Sequence, residues 1–305
     1  MEFTLGMDNV QMAISERLHI LLSSGLVFLL FLWMALRNGY FTFSREDKKI
    51  PQKLSTKAFL GAFTVFLFFQ IILAPLTFQL WHYFYALGSD EKTRGLSSEW
   101  QAWFTIYAII LTGLGLFFYY RLLSKANREI VAGPYAFYGW TAKLHDMMLA
   151  CMSWILSYPL VVVISQLVAM LVAYFYQNVE PQQVAVQLIK DATVSKPLFI
   201  SMALLVIFIV PLIEELLFRG FLQNWLKRFF HPMAAVVLTS GIFAVFHFSP
   251  QQGMGNIELL TALFVLSCFL GFIYERQKSI WAPISLHAIF NAISILLILL
   301  VEKPS

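Results

Sequence analysis

Eight apolar runs recur along the chain, most of them close to the about 20 residues that a helix needs to cross a bilayer. The chain is 59% hydrophobic and only 12% charged, whereas soluble domains are about 25% charged. The sequence therefore predicts an all-α fold, a polytopic transmembrane helical bundle of about eight helices. The basic residues lie in the connections, where membrane topology explains them, so the net charge of +4 does not indicate nucleic-acid binding.

The predicted helices follow one another with mostly short polar connections. In chain order they cover residues 19–36, 58–87, 101–120, 147–176, 198–230, 233–248, 257–274 and 282–301. Residues 1–18 are polar to mildly amphipathic and are expected to form an N-terminal tail, frayed or lying on the membrane surface. The segment 121–146 is expected to be a connection at the membrane interface, where Trp and Tyr prefer to lie.

Basic residues are distributed unequally between the two sets of connections. One set holds 14 Lys and Arg residues and the opposite set, with both termini, holds 6, if the intramembrane Arg219 is left out. Because Lys and Arg favour cytoplasmic loops, this bias predicts that both termini face outward.

A cluster of charges interrupts the fifth predicted helix. Glu214, Glu215 and Arg219 lie in an otherwise apolar run, and an intramembrane charge persists mainly where it is paired or faces a cavity. On a helix Glu215 and Arg219 are i,i+4 neighbours and can pair, whereas Glu214 points about 100° away. Pro211 cannot donate to the Ile207 carbonyl and is expected to bend the helix one turn before the glutamates.

Two later helices carry imidazole and amide side chains of matching chemistry. His247 ends the sixth predicted helix, and His287 and Asn291 lie i,i+4 on one face of the eighth. Glu214 lies 17 residues before the turn at His231 and His247 lies 16 residues after it, so both are expected at the same height in an antiparallel pair. The alternative is that each residue only joins helices through hydrogen bonds. Three helices with such residues favour a shared site between helices 5, 6 and 8.

The chemistry of these side chains favours hydrolysis. A carboxylate beside an imidazole can activate water as a general base, and an imidazole N–H with an Asn amide can hold a developing oxyanion. No serine, cysteine or threonine stands at a motif spacing from either glutamate. Together these parts indicate cleavage of an acyl bond, most plausibly a peptide bond, within the membrane.

Three ordered motifs carry a family resemblance. Glu214-Glu215-x-x-x-Arg219, Phe243-x-x-x-His247 and His287-x-x-x-Asn291 resemble the motifs of the CAAX-protease and bacteriocin-processing family (CPBP, also called Abi), which comprises intramembrane glutamate-type endopeptidases. The resemblance covers about residues 197–301. It implies a catalytic domain at 197–305, preceded by transmembrane helices 1–4 and their loops at 19–196.

The resemblance also implies residue roles. Glu214 corresponds to the water-activating glutamate and His247 to its histidine partner, while His287 and Asn291 correspond to the oxyanion-stabilising pair. Glu215 and Arg219 match supporting positions. A Glu/His/His cluster could bind Zn²⁺, but the resemblance favours a metal-free mechanism without a cofactor.

The resemblance further implies a peptide or protein substrate in the bilayer. It offers three classes: tails of prenylated proteins, peptide or bacteriocin precursors, and regulatory membrane proteins. The compact 305-residue chain without an evident targeting segment suits a prokaryotic plasma (inner) membrane.

Two other functions remain open from the sequence. The protein could be a non-catalytic immunity or regulatory scaffold protein of the same family, which retains the motifs. A proton-coupled transporter would be expected to show repeated halves, and the first four helices contain no counterpart of the Glu-Glu-Arg cluster.

Overall fold

A computed structural model describes residues 2–42, 53–87, 98–176 and 195–301, together with residues 186, 187, 189, 192 and 193. Within this part of the chain it contains helices and connecting segments and no β-strand. The predicted all-helical bundle is therefore confirmed. Much of the basic connection at 37–57 and most of the polar connection at 177–196 lie outside the described residues.

Nine helices follow one another in the described part of the chain, if π-helical turns are counted with the helices that they interrupt. Two helices are interrupted in this way: α2 at Phe68–Leu73, and α6 at Leu205–Ile209 and Leu216–Gln223. The helices are α1 (Glu2–Arg37), α2 (residues 56–87), α3 (Ser98–Leu122), α4 (Lys125–Ala132), α5 (Trp140–Tyr176), α6 (Lys196–Leu226), α7 (Pro232–Phe246), α8 (Gly255–Gln277) and α9 (Trp281–Val301).

Seven of these helices are long and apolar enough to cross a membrane, whereas α4 and α7 are shorter. The fifth, sixth and eighth predicted helices correspond to α6, α7 and α9, because α4 adds a helix that the sequence argument did not predict. The chain is therefore an integral, multi-pass membrane protein.

Two helix starts and one connection differ from those predicted. The helix α1 begins at Glu2 rather than near residue 19, and α5 begins at Trp140 rather than at residue 147. The segment expected to be only a connection at the interface contains α4 and a short 3₁₀ turn, Pro134–Phe137. Long apolar runs predict membrane-spanning helices but not α4, because α4 is short and amphipathic. Its buried residues are Ile130, Val131 and Ala132.

Two hydrophobic clusters fix the helices that carry the polar residues. In the first, Leu217, Phe218 and Phe221 of α6 pack with Phe243 of α7 and with α2 and α3. In the second, Leu270 and Ile273 of α8 pack with Leu286 of α9 and with α5. The helices α6, α7, α8 and α9 are thus held on both sides by N-terminal helices, and their polar faces meet between the clusters.

Candidate active site

A single carboxylate faces two imidazoles where α6, α7 and α9 meet. The Glu214 Oε1 atom lies 3.6 Å from the Nε2 atom of His247, and its Oε2 atom lies 3.7 Å from the Nε2 atom of His287. The side chains of Glu214 and His247 keep 21% and 30% of their surface exposed, whereas that of His287 keeps 6%. Glu214 thus lies at the open edge of a largely buried group, at the height that the chain turn at His231 predicts for His247.

The neighbouring carboxylate has a different environment. Glu215 is fully buried, and its Oε2 atom lies 3.1 Å from the Nε atom of Arg219, the i,i+4 partner that the sequence predicts. Its Oε1 atom lies 2.8 Å from the Nδ1 atom of His287. Glu215 therefore shares its negative charge between a guanidinium and a ring nitrogen, and this contact turns the opposite edge of the His287 ring towards Glu214.

The ring of His247 is fixed by its own helix. Its Nδ1 atom lies 2.8 Å from the Phe243 carbonyl, one turn earlier. Because a carbonyl only accepts, Nδ1 carries the hydrogen in this contact, and Nε2 is left on the side of Glu214. Phe243 is fully buried, and its ring centroid lies 4.8 Å from the guanidinium carbon of Arg219. The helix α7 thus provides both the imidazole and an aromatic face for the buried cation.

Asn291 contacts the backbone of α6 rather than a side chain of the cluster. Its Nδ2 atom donates to the Val206 carbonyl at 2.8 Å. This carbonyl lacks both of its helical donors, because the Val210 N–H donates to Leu205 in the π-helical turn and Pro211 has no N–H. At the α-helical spacing that the sequence predicts, Pro211 would deprive only the Ile207 carbonyl of a donor. Asn291 therefore satisfies a backbone group that the π turn and Pro211 leave open.

No group of three or more His, Cys, Asp and Glu side chains among the described residues is arranged to hold a metal ion. The candidate site thus consists of two carboxylates, two imidazoles, one guanidinium and one amide.

Comparison with known proteins finds a family match for the C-terminal part of the chain. The model of the type II CAAX prenyl endopeptidase Rce1-like family matches residues 196–293. This match covers about a third of the chain and agrees with the resemblance that the three motifs carry, and residues 196–293 are called the Rce1-like segment below. No curated protein and no solved structure matches the chain.

The Rce1-like segment begins with α6 and ends within α9, so it contains all six candidate residues. The structure brings Glu214, His247, His287 and Glu215 together through direct contacts, and Arg219 joins them through Glu215. Asn291 instead donates to the Val206 carbonyl of α6. The first five helices lie outside the matched segment.

One polar residue of the Rce1-like segment was missed by the sequence argument. The Nη2 atom of Arg219 donates to the Ser267 hydroxyl at 2.8 Å and to the Ser267 carbonyl at 3.2 Å. Ser267 is fully buried on α8. The only sequence signal for it is a serine within an apolar helix, which is common and therefore uninformative.

Proposed function

We propose that the protein is an intramembrane, metal-independent glutamate-type endopeptidase that hydrolyses peptide bonds of membrane-associated or lipidated proteins or peptides. The family match supports the endopeptidase class. The observation that carries the mechanism is the arrangement of Glu214, whose two oxygens lie 3.6 and 3.7 Å from the Nε2 atoms of His247 and His287. Both separations exceed a direct hydrogen bond, which suits groups that act on a molecule held between them.

In this proposal Glu214 is the general base. It removes a proton from water, the water oxygen bonds to the scissile carbonyl carbon, and the carbonyl oxygen becomes an oxyanion. His247, held through Nδ1, presents Nε2 to the same water and orients it. The proton then passes to the leaving amine as the peptide bond breaks, which restores the carboxylate. General-base catalysis of this kind typically contributes about 100- to 10,000-fold to the rate.

His287 and Asn291 stabilise the oxyanion in this proposal. His287 is nearly buried and donates its Nδ1 hydrogen to Glu215. It can donate to the oxyanion from Nε2 only as an imidazolium, so the proposal takes it in that form, with Glu215 as its counter-charge. Asn291 uses one amide hydrogen on the Val206 carbonyl, and its second N–H is the donor proposed for the oxyanion. Glu215 and Arg219 act as positioning residues, because they orient His287.

The substrate is proposed to enter from the bilayer. The substrate classes proposed from the resemblance are prenylated protein tails, peptide precursors and regulatory membrane proteins. We further propose that residues 197–305 form the catalytic domain, that residues 19–196 hold it in place, and that the protein lies in a prokaryotic plasma membrane.

Cleavage of a quenched-fluorescent peptide library, with prenylated and unmodified members, tests the proposal in liposomes. Wild type is compared with Glu214→Gln, His247→Ala and the control Glu129→Gln, which changes a carboxylate that is 48% exposed on α4. We expect turnover in wild type and in the control, with or without a chelator, and a loss of at least about 100-fold in the two site variants.

Two other results would contradict the proposed function. Loss of turnover with the chelator would contradict the metal-independent mechanism. If no peptide is cleaved and Glu214→Gln keeps the biological effect of the wild type, the protein acts as a non-catalytic immunity or scaffold protein.

A further inference from the structure

A second candidate site lies away from the glutamates, where α1, α5 and α8 meet. It is a groove of about 260 Å³ with apolar walls from α1 and α5 and a guanidinium from α8. The lining includes Phe31, Met34, Met152, Ile155, Leu156 and Arg276. Its volume falls below the about 300 to 1,000 Å³ of typical small-molecule pockets, so it suits one chain segment rather than a whole compact ligand.

The polar and apolar parts of the groove lie at different depths. Arg276 belongs to the last turn of α8, and Asn38 and Tyr40 follow the end of α1. Ile155 and Leu156 lie about four turns into α5 from its start at Trp140. The groove therefore has a polar end at the edge of the bundle and an apolar end within it. These two ends match the headgroup and the acyl chain of an amphiphile.

Arg276 keeps donor capacity at the polar end. Its Nε atom donates to the Thr42 carbonyl at 3.2 Å, and its guanidinium carbon lies 5.0 Å from the Tyr40 ring centroid. Its Nη1 atom is buried and has no hydrogen-bond partner in the part of the chain that the structure describes. A buried donor without a partner is costly, and a guanidinium is suited to phosphate.

The rim of the groove faces the membrane. Met34, Met152 and Ile155 are 43%, 59% and 39% exposed, and they lie in helices long enough to span a bilayer. Lys227 at the same end of the bundle is paired with Glu275 at 2.8 Å, so the cation available to the groove is Arg276. A basic side chain near the membrane surface attracts acidic lipids.

We propose that this groove binds one anionic phospholipid of the surrounding bilayer. The headgroup phosphate accepts hydrogen bonds from the Arg276 guanidinium, and one acyl chain lies along Met34, Met152 and Ile155. The site is independent of the proposed protease activity, since none of its lining residues belongs to the cluster around Glu214.

Native mass spectrometry of the full chain tests this site. The protein in detergent is mixed with phosphatidylglycerol, with zwitterionic phosphatidylcholine or with a farnesylated peptide at equal concentration. Arg276→Gln removes the charge, Met152→Trp fills the apolar part, and Arg276→Lys keeps the charge. The control Lys125→Gln removes a cation on α4 whose side chain is 86% exposed. The thermal midpoint of each variant without lipid shows whether it folds.

We expect wild type and Lys125→Gln to retain one phosphatidylglycerol and to prefer it over phosphatidylcholine. Arg276→Gln should weaken retention by about fivefold, the effect of one basic side chain at an acidic membrane, and Arg276→Lys should restore part of it. Met152→Trp should abolish retention of the lipid, because it fills the apolar part of the groove. This variant tests the lipid site if Arg276→Gln does not fold.

Three outcomes would overturn the assignment. They are equal retention of both lipids by wild type, unchanged retention in the folded Arg276→Gln and Met152→Trp variants, and preference for a farnesylated peptide over phosphatidylglycerol. The last result would assign the groove to the lipid anchor of a substrate.

Discussion

At the scale of the residue, two adjacent glutamates have opposite environments. Glu215 is fully buried and contacts both Arg219 and His287, whereas Glu214 keeps 21% of its side chain exposed and faces two imidazoles at more than 3.5 Å. Adjacent helical positions differ by about 100°, which separates a structural carboxylate from one that is available for chemistry.

Matched substitutions of the two glutamates should separate stability from activity. Glu215→Gln leaves Arg219 as a buried cation without its carboxylate, so we expect a loss of about 3 kcal/mol or more in the free energy of unfolding. Glu214→Gln should abolish cleavage but cost less stability than Glu215→Gln, because the Glu214 side chain is partly exposed and its contacts with the two imidazoles exceed 3.5 Å. Denaturant unfolding in detergent, beside the cleavage assay, measures both effects.

Equal destabilisation by the two substitutions would contradict this division. So would a Glu215→Gln variant with wild-type stability, since the Arg219 charge would then be compensated by Ser267 and Phe243 alone.

The sequence predicted contacts within a helix better than contacts between helices. The i,i+4 rule gave the Glu215–Arg219 pair, and the turn at His231 gave the common height of Glu214 and His247. The contact of Arg219 with Ser267 spans 48 residues of sequence. It depends on how α8 is rotated against α6, and periodicity in an apolar helix does not fix that rotation.

At the scale of the element, α6 is shaped by a π-helical turn directly before the glutamates. The turn Leu205–Ile209 and Pro211 deprive the Val206 carbonyl of its helical donors, and Asn291 of α9 supplies one instead. The proline is evident in the sequence, but the π register is not, because it arises from the packing of α6 against its neighbours.

A double-mutant cycle tests the role of Asn291 in this turn. Asn291→Leu should cost about 1 kcal/mol, because it leaves the partly buried Val206 carbonyl without this donor. Pro211→Ala provides a new N–H at position 211 that can donate to Val206, so Asn291→Leu should cost less in that background. A coupling free energy of at least about 0.5 kcal/mol in denaturant unfolding would support this account.

Activity in the same four proteins separates structure from chemistry. If Asn291 also stabilises the oxyanion, the double variant should recover stability but remain at least about 100-fold slower than Pro211→Ala in cleavage. Recovery of both properties would assign Asn291 a structural role alone.

A glycine fixes the connection between α4 and the turn that precedes α9. Gly133 has a φ of 84°, and a Cβ atom there would lie 2.3 Å from the Lys278 carbonyl oxygen. Gly253 also has a positive φ, of 51°, but a Cβ atom there would meet nothing within 4 Å. The pair therefore separates backbone strain from steric contact.

We expect Gly133→Ala to destabilise the protein more than Gly253→Ala does. Both substitutions place alanine in a backbone region that is almost restricted to glycine, at a cost of about 1 to 3 kcal/mol, but only Gly133→Ala also forces the Lys278 backbone to move. The thermal midpoints of the two variants in detergent measure the difference, and equal midpoints would show that the connection can shift freely.

At the scale of the whole molecule, the Rce1-like segment does not bury its core alone. Leu270 and Leu286 of this segment pack with Leu149 and Ala150 of α5, and Phe221 and Leu217 pack with Ala58 and Leu116 of α2 and α3. Apolar runs predicted the spanning helices well, because hydrocarbon requires them. They did not predict α4, which is short. The Tyr274 hydroxyl of the Rce1-like segment donates to the Ile130 carbonyl of α4, and these residues are 144 positions apart in the sequence.

This shared packing predicts how the two parts of the chain behave when they are separated. Residues 196–305 expressed alone should be present in the membrane but should lack a cooperative unfolding transition, because the faces that meet α2, α3 and α5 have lost their partners. Co-expression with residues 1–195 should restore a folded complex, since the buried surfaces are unchanged. Size-exclusion chromatography in detergent, with thermal unfolding, measures both results. A monodisperse fragment 196–305 that cleaves peptides would instead show that the catalytic domain is autonomous, and that the first five helices serve substrate access rather than stability.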